Sequence, residues 1–235
     1  MVIKSATLGR LAEIAEDQWG LVTRQQARLS GVPQTTLDRL TAPGSLLERV
    51  AYGVYRLTGA PEPDHLELRA AWLQLAPQTW AWERAPEQGV VSHRSAAALY
   101  GLGHLPADRH DFTLPTRKQT RRADVCLHQR TLADTDWVAL HGLPVTCPAR
   151  TVSDLLSGRE DPEAVGHIVA DALRALLDTP GTFAETLGPH ASRFGTRRDD
   201  GFALLHWLLD LVDDPSTRRW LDEAQAHLRN PAAPR

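Results

Sequence analysis

The sequence is poor in several features, and each shortage closes off a class of function. It holds 2 cysteines, Cys126 and Cys147, far apart and without CxxC or Cys/His spacing. Neither a zinc site nor a disulfide framework is expected from them. Of the 26 basic residues only Lys4 and Lys118 are lysine. An Asp followed by an Asp/Glu-x-Lys unit, the metal-holding set of a restriction-type nuclease, therefore cannot form in the C-terminal half. Gly44-Ser45 has no acidic pair after it, and Asp134-Thr135-Asp136 has no Gly-Ser before it, so a nucleotidyltransferase's magnesium signature is missing too. A Walker A loop and a GxGxxG are also absent. No apolar run reaches the length a membrane span needs, and Met1 to Gly9 lacks a signal peptide's apolar centre. The expectation is a cytoplasmic, non-enzymatic protein with no metal, no cofactor and no membrane partner.

What is present is an ordinary globular composition over 235 residues, 42% hydrophobic and 23% charged, long enough for two cores. The net charge of -3 is unevenly spread. Residues 1–60 carry 7 Lys+Arg against 5 Asp+Glu, residues 109–130 carry 6 against 2, and residues 131–235 carry 10 against 16. A basic front with an acidic back suits a protein that meets a polyanion with one part only.

The densest pattern lies between Thr23 and Leu57. Leu8, Leu11, Ile14 and Ala15 first mark a helix that Gly20 ends, and Leu21-Val22 can form a short strand. Thr23-Arg24-Gln25-Gln26 then has the form of a capping box, and Gly31-Val32-Pro33 breaks that helix after two turns. A second short helix runs from Pro33 to about Leu40. Two apolar stretches, Leu46–Val50 and Val54–Leu57, read as strands joined by Ala51-Tyr52-Gly53, where glycine can take positive φ. Helix, turn, helix, hairpin is the order of a winged helix-turn-helix, which sets one helix in a DNA major groove.

With Leu37 and Leu40 facing inward, Gln34, Thr35, Asp38 and Arg39 are left to face outward. Gln suits adenine, Thr a phosphate or thymine methyl, and Arg guanine or phosphate. The candidate DNA-contacting set is Thr23, Gln34, Thr35, Thr36, Arg39, Arg49, Tyr52 and Arg56, the last three on the wing. The competing reading makes Arg49 and Arg56 solvated strand residues and Tyr52 a hairpin cap.

Ala60-Pro61-Glu62-Pro63 reads as a stiff linker, dividing a domain of residues 1–60 from one of residues 61–235. Beyond it come an amphipathic helix from Asp64 to Ala76, Trp80 and Trp82 as packing residues, and a helix capped by Ser92 that ends at Gly101 or Gly103. His93, with no nucleophile beside it, reads as structural. Asp111–Leu114, Asp124–His128, Trp137–Leu140 and Leu143–Val145 read as strands. Arg117, Lys118, Arg121 and Arg122 would sit together at a hairpin tip, where mutual repulsion points to an acidic partner. After Thr146, a plausible cap, residues 158–235 are mainly helical, with segments at 164–177, 183–187, 202–212 and 217–228 and a fraying tail from Asn230 to Arg235. The fold class is α+β: a winged helix-turn-helix, then a mixed α/β domain with a helical C-terminal region.

Three stretches together resemble one family. They are Leu47-Glu48-Arg49-Val50-Ala51-Tyr52-Gly53-Val54-Tyr55-Arg56-Leu57, Val91-Ser92-His93-Arg94-Ser95-Ala96-Ala97-Ala98-Leu99-Tyr100-Gly101-Leu102, and Gly142-Leu143-Pro144-Val145-Thr146-Cys147-Pro148-Ala149-Arg150-Thr151. In this order they look like the AbiEi-type antitoxins of type IV, abortive-infection, toxin-antitoxin systems. The resemblance implies a winged helix that represses its own operon at inverted repeats in double-stranded DNA. It also implies a C-terminal domain that counters a nucleotidyltransferase-like toxin; the basic tip is the candidate contact surface. The alternative is a stand-alone transcriptional regulator whose C-terminal domain senses a ligand or forms a dimer.

Overall fold

The computed structural model describes residues 5–42 and 44–230, with side chains from Gly9 onward. The part of the expected fraying tail beyond residue 230 lies outside the described residues. The rest divides into two compact units, one ending at Gly89 and one beginning at Val90. Both mix helices and strands, as the α+β class requires.

In the first unit α1 (Ser5–Glu16), β1 (Leu21–Thr23), α2 (Arg24–Leu29), α3 (Gln34–Leu40), β2 (Leu47–Ala51) and β3 (Val54–Leu57) form the winged helix-turn-helix. Thr23 Oγ1 accepts from the Gln26 amide at 3.1 Å, and Gln26 Oε1 accepts from the Thr23 amide at 2.9 Å. That reciprocal pair fixes where α2 starts. The sheet is antiparallel in the order β1-β3-β2, with Val22 opposite Tyr55 and Arg49 also opposite Tyr55. Gly53, at φ +69°, turns β2 into β3. Leu11, Val22, Ala27, Val32, Leu37, Leu40, Leu47 and Tyr55 close the core beneath them.

This unit does not stop at the proline-rich stretch. Helix α4 (Leu66–Leu75) packs against the wing sheet, with Trp72 fully buried and its indole N–H donating to the Gly89 carbonyl at 2.7 Å. Buried amides tie the following segment to the winged helix. Gln26 Nε2 donates to the Thr79 carbonyl at 2.9 Å, Gln18 Oε1 accepts from the Ala81 amide at 2.8 Å, and the Thr23 hydroxyl donates to the Pro77 carbonyl. The boundary expected at Ala60–Pro63 therefore falls inside the first unit. Trp82 is exposed and stacks on Trp80 at 5.7 Å.

The second unit is a five-stranded mixed sheet covered by helices. Its strands are β4 (Val90–Val91), β5 (His110–Leu114), β6 (Val125–Gln129), β7 (Trp137–Leu140) and β8 (Leu143–Thr146), in the order β6-β5-β4-β8-β7. Strands β4 and β8 run parallel, and each leads straight into a helix, α5 (His93–Tyr100) and α6 (Pro148–Ser157). Strands β5 and β6 are also parallel, with His110 opposite Val125 and Leu114 opposite Gln129. The expected hairpin between them is thus a crossover: parallel partners oblige residues 115–124 to return along the strands rather than turn at a tip. Thr146 is not the cap of α6. Cys147 occupies that position without a capping bond, and the Thr146 hydroxyl pairs instead with the Thr151 hydroxyl at 2.7 Å.

The helical remainder is α7 (Pro162–Arg174), α8 (Pro180–Leu187), α9 (Gly201–Val212) and α10 (Thr217–Arg229). Asp161, Thr179 and Asp200 each accept a first-turn amide, which explains three of these starts. Leu155, Ile168, Phe183, Leu204, Leu208 and Trp220 build a common core with the α6 face. Helices α7 and α9 approach so closely that a Cβ on Gly166 would lie 2.5 Å from the Leu208 carbonyl oxygen. Among the described residues no helix is long and apolar enough to cross a membrane.

Candidate nucleic-acid interface

Helix α3 divides cleanly. Leu37, Leu40 and Thr36 are buried, while Thr35, Asp38 and Arg39 are exposed and Gln34 is half-buried. The outward side chains are pre-arranged on their own helix: Gln34 Nε2 donates to Asp38 Oδ1 at 2.6 Å, and Arg39 Nε donates to the Thr35 carbonyl at 3.2 Å. Thr36 is turned inward, and its hydroxyl accepts from Arg39 Nη2 at 3.3 Å. It supports Arg39 instead of facing outward as expected.

The wing separates its three candidates. Tyr52 at the turn is 75% exposed, with the Arg49 guanidinium 5.4 Å from its ring centroid. Arg56 lies on the other side of the expectation: its side chain is mostly covered, 2.8 Å from Glu48 and 3.7 Å from Glu62. Two carboxylates oppose its charge, so it is poorly placed to attract a phosphate. Thr23 is fully buried, with its hydroxyl engaged by Gln26 and Pro77, and cannot reach a duplex in this fold. Arg24 and Arg28, exposed cations on α2, lie outside the expected set. In this motif the first helix crosses the phosphate backbone, which is the signal that could have found them.

Residues 10–58 match the family described as "Transcriptional regulator, AbiEi antitoxin". The N-terminal domain is of the AbiEi type. Its matched span covers α2, α3 and the wing, the elements that carry the exposed face. Comparison with curated protein sequences returns no match. Among solved structures, the chain is similar to the crystal structure of the RV2827C protein from Mycobacterium tuberculosis, at 17% identity and a TM-score of 0.51, with 100% of this chain and 84% of that one covered. At that identity the likeness concerns the fold alone.

Outside the AbiEi-type domain, the four basic residues of the β5–β6 crossover are not equivalent. Arg117, Lys118 and Arg121 are exposed. Arg122 is engaged by Asp124, with Nε 2.9 Å from Oδ1, and that contact holds the Asp124 carboxyl down at about 2. Charge repulsion among the four is correspondingly weaker than their spacing suggests.

His93 is not a lone histidine. Its ring stacks on His128 with centroids 3.6 Å apart and planes 14° from parallel. His128 Nε2 lies 2.8 Å from Asp111 Oδ1, and the Ser92 hydroxyl lies 3.0 Å from His93 Nδ1 and accepts from the Thr113 hydroxyl at 2.9 Å. Ser92 therefore leaves the first turn of α5 without a side-chain cap, contrary to its expected capping role. One potential ligand atom from each of His93, Asp111 and His128 falls within 4.8 Å of the others, a separation compatible with a metal. The direction is not, since an imidazole binds a metal along an in-plane lone pair and two stacked, nearly parallel rings have no common point ahead of both. Arg150, buried within electrostatic range of His93, donates to Asp154 Oδ1 at 3.0 Å and to Asp136 Oδ2 at 2.9 Å.

Proposed function

We propose that this chain is the antitoxin and autorepressor of a toxin-antitoxin operon. The observation that supports it is the match of residues 10–58 to the AbiEi antitoxin family, over a helix that turns Gln34, Thr35 and Arg39 away from its core. The unit binds operator DNA, with those residues in the major groove and Arg49 and Tyr52 at the backbone. Inverted repeats are the expected operator form. Affinity falls steeply with salt, because each neutralised phosphate releases counterions. The C-terminal unit counters a nucleotidyltransferase-like toxin, with Arg117, Lys118 and Arg121 as the contact surface.

Two measurements test this. Fluorescence anisotropy of the full chain on the DNA upstream of its gene should show tight, salt-sensitive binding that Arg39→Ala weakens. Growth assays should show that the neighbouring gene is toxic alone and harmless when the chain is co-expressed. If the neighbour is harmless by itself, the antitoxin role fails and a stand-alone regulator is the better account. If charge reversal at Arg117, Lys118 and Arg121 leaves rescue intact, the basic crossover is not the contact surface.

A further inference from the structure

The second unit buries polar side chains where a stability core would be apolar. Ser92, Asp111, Thr113, Thr146, Arg150, Ser153 and Asp154 are all buried. Strand register explains how several of them meet. Thr113 is opposite His128 in the parallel pair, and Asp111 lies two residues before Thr113 on the same face. Arg130 follows His128 by two residues and so continues that face, its amide held by the Leu114 carbonyl at 2.8 Å. Arg130 lies within electrostatic range of His93, Asp154 and His190. Helix α6 contributes Arg150, Asp154 and Ser153, the last 2.8 Å from His190 Nε2.

Which of these groups remain available decides what the cluster can hold. Asp111 is occupied by His128, while Asp136 and one oxygen of Asp154 are occupied by Arg150. The remainder is weighted toward donors. Arg150 Nη2 is buried without a hydrogen-bond partner, and no carboxylate forms an ion pair with Arg130 among the described residues. The first-turn amides of α5 are uncapped by Ser92. Against these stands one unpartnered acceptor, Asp154 Oδ2. His93 itself adopts a left-handed backbone at φ +51°, a strained conformation for a non-glycine residue that recurs at ligand sites.

We propose that this cluster binds the phosphate group of a small molecule, with Arg130 and Arg150 supplying charge-assisted donors and His93 and the start of α5 closing the set. A tetrahedral oxyanion offers enough acceptors to satisfy several donors converging from different elements. A metal would need the two imidazoles turned out of their stack. The two natural sources of the ligand are free phosphate and a nucleotide.

The test uses the full chain and follows the ring signals of His93 and His128 by NMR, with inorganic phosphate, AMP, adenosine and chloride at matched ionic strength as probes. Inorganic phosphate or AMP should shift both rings saturably, and Arg130→Gln should weaken that response by roughly tenfold or more. Arg117→Gln, on the crossover, should leave it unchanged. Equal responses to inorganic phosphate and AMP identify phosphate alone as the ligand, and a response to AMP only identifies a nucleotide. The proposal is overturned if chloride or adenosine reproduces the shifts, if no probe shifts them, if Arg130→Gln responds like the parent, or if zinc shifts them while phosphate does not. Arg130 is exposed, so its substitution should leave the fold intact, and thermal unfolding of the variant checks this. Operator binding is independent of this outcome.

Discussion

Both units bury some polar side chains, but they place those of their candidate sites in opposite ways. In the first, Thr35, Arg39, Arg49 and Tyr52 stand outside elements whose apolar sides are sealed into a small core. In the second, Ser92, Asp111, Thr113, Arg150 and Asp154 are folded inside. A surface for a duplex must be open, since DNA cannot enter a recess; buried donors suit something small. The energetic consequence follows directly. An exposed side chain can change with little effect on folding, whereas a buried charge that loses its partner destabilises strongly.

The sharpest way to break that contrast is Arg150→Ala. It would leave Asp154 and Asp136 without the guanidinium that bridges them, at a cost of about 3–5 kcal/mol in unfolding free energy. Arg39→Ala should change stability by no more than about 0.5 kcal/mol. Urea unfolding of both variants measures this, and equal effects would mean the polar interior is not a fixed network.

A smaller effect should appear with pH. Burial, and next the neighbouring His128, push the His93 imidazole down to about 3. The unfolded chain then binds a proton below pH 6.5 that the folded one refuses, so stability is intact above pH 6.5 and falls as pH drops below it. The slope approaches about 1.4 kcal/mol per pH unit at most. Replacing His93 by Gln should remove this component, measured as the difference in unfolding free energy between pH 7 and pH 5. An unchanged slope in the variant would show that His93 titrates normally.

Within the first unit, the proposed DNA face separates into residues that should matter and residues that should not. Arg39→Ala should cost about 1–3 kcal/mol of operator binding if it reads a base, and Arg49→Ala should lower the salt slope by about one. Arg56→Ala should do little, because Glu48 and Glu62 already oppose its charge. Anisotropy titrations at two salt concentrations distinguish the three. A large loss from Arg56→Ala would mean that DNA displaces those carboxylates.

What could be read from the sequence followed the range of the interactions involved. The capping box at Thr23–Gln26, the break at Gly31 and the turn at Gly53 are decided within four residues, and each stands where expected. The end of the first unit was not legible, because Pro61 and Pro63 signal stiffness while hydrogen bonds from Gln18, Thr23 and Gln26 to residues 77–81 decide the packing. The parallel pairing of β5 and β6 was hidden for a similar reason. Two short apolar runs separated by a polar segment look like a hairpin until register is known. The cluster around His93 depends on that register, since Asp111 and His128 reach it from different strands.

Thr23 offers a modest predicted effect and the cleanest separation of role from position. Its hydroxyl caps α2 and reaches the Pro77 carbonyl, while the residue is fully buried. Thr23→Ala should therefore lower stability by about 1 kcal/mol, the usual value of an N-cap, and Thr23→Ser should restore most of it. Operator affinity, measured well below the unfolding temperature, should match the parent in both variants. A direct DNA contact would produce the reverse pattern, weaker binding with unchanged stability. The two observables thus decide whether this threonine belongs to the face proposed to meet DNA or to the framework that holds that face in place.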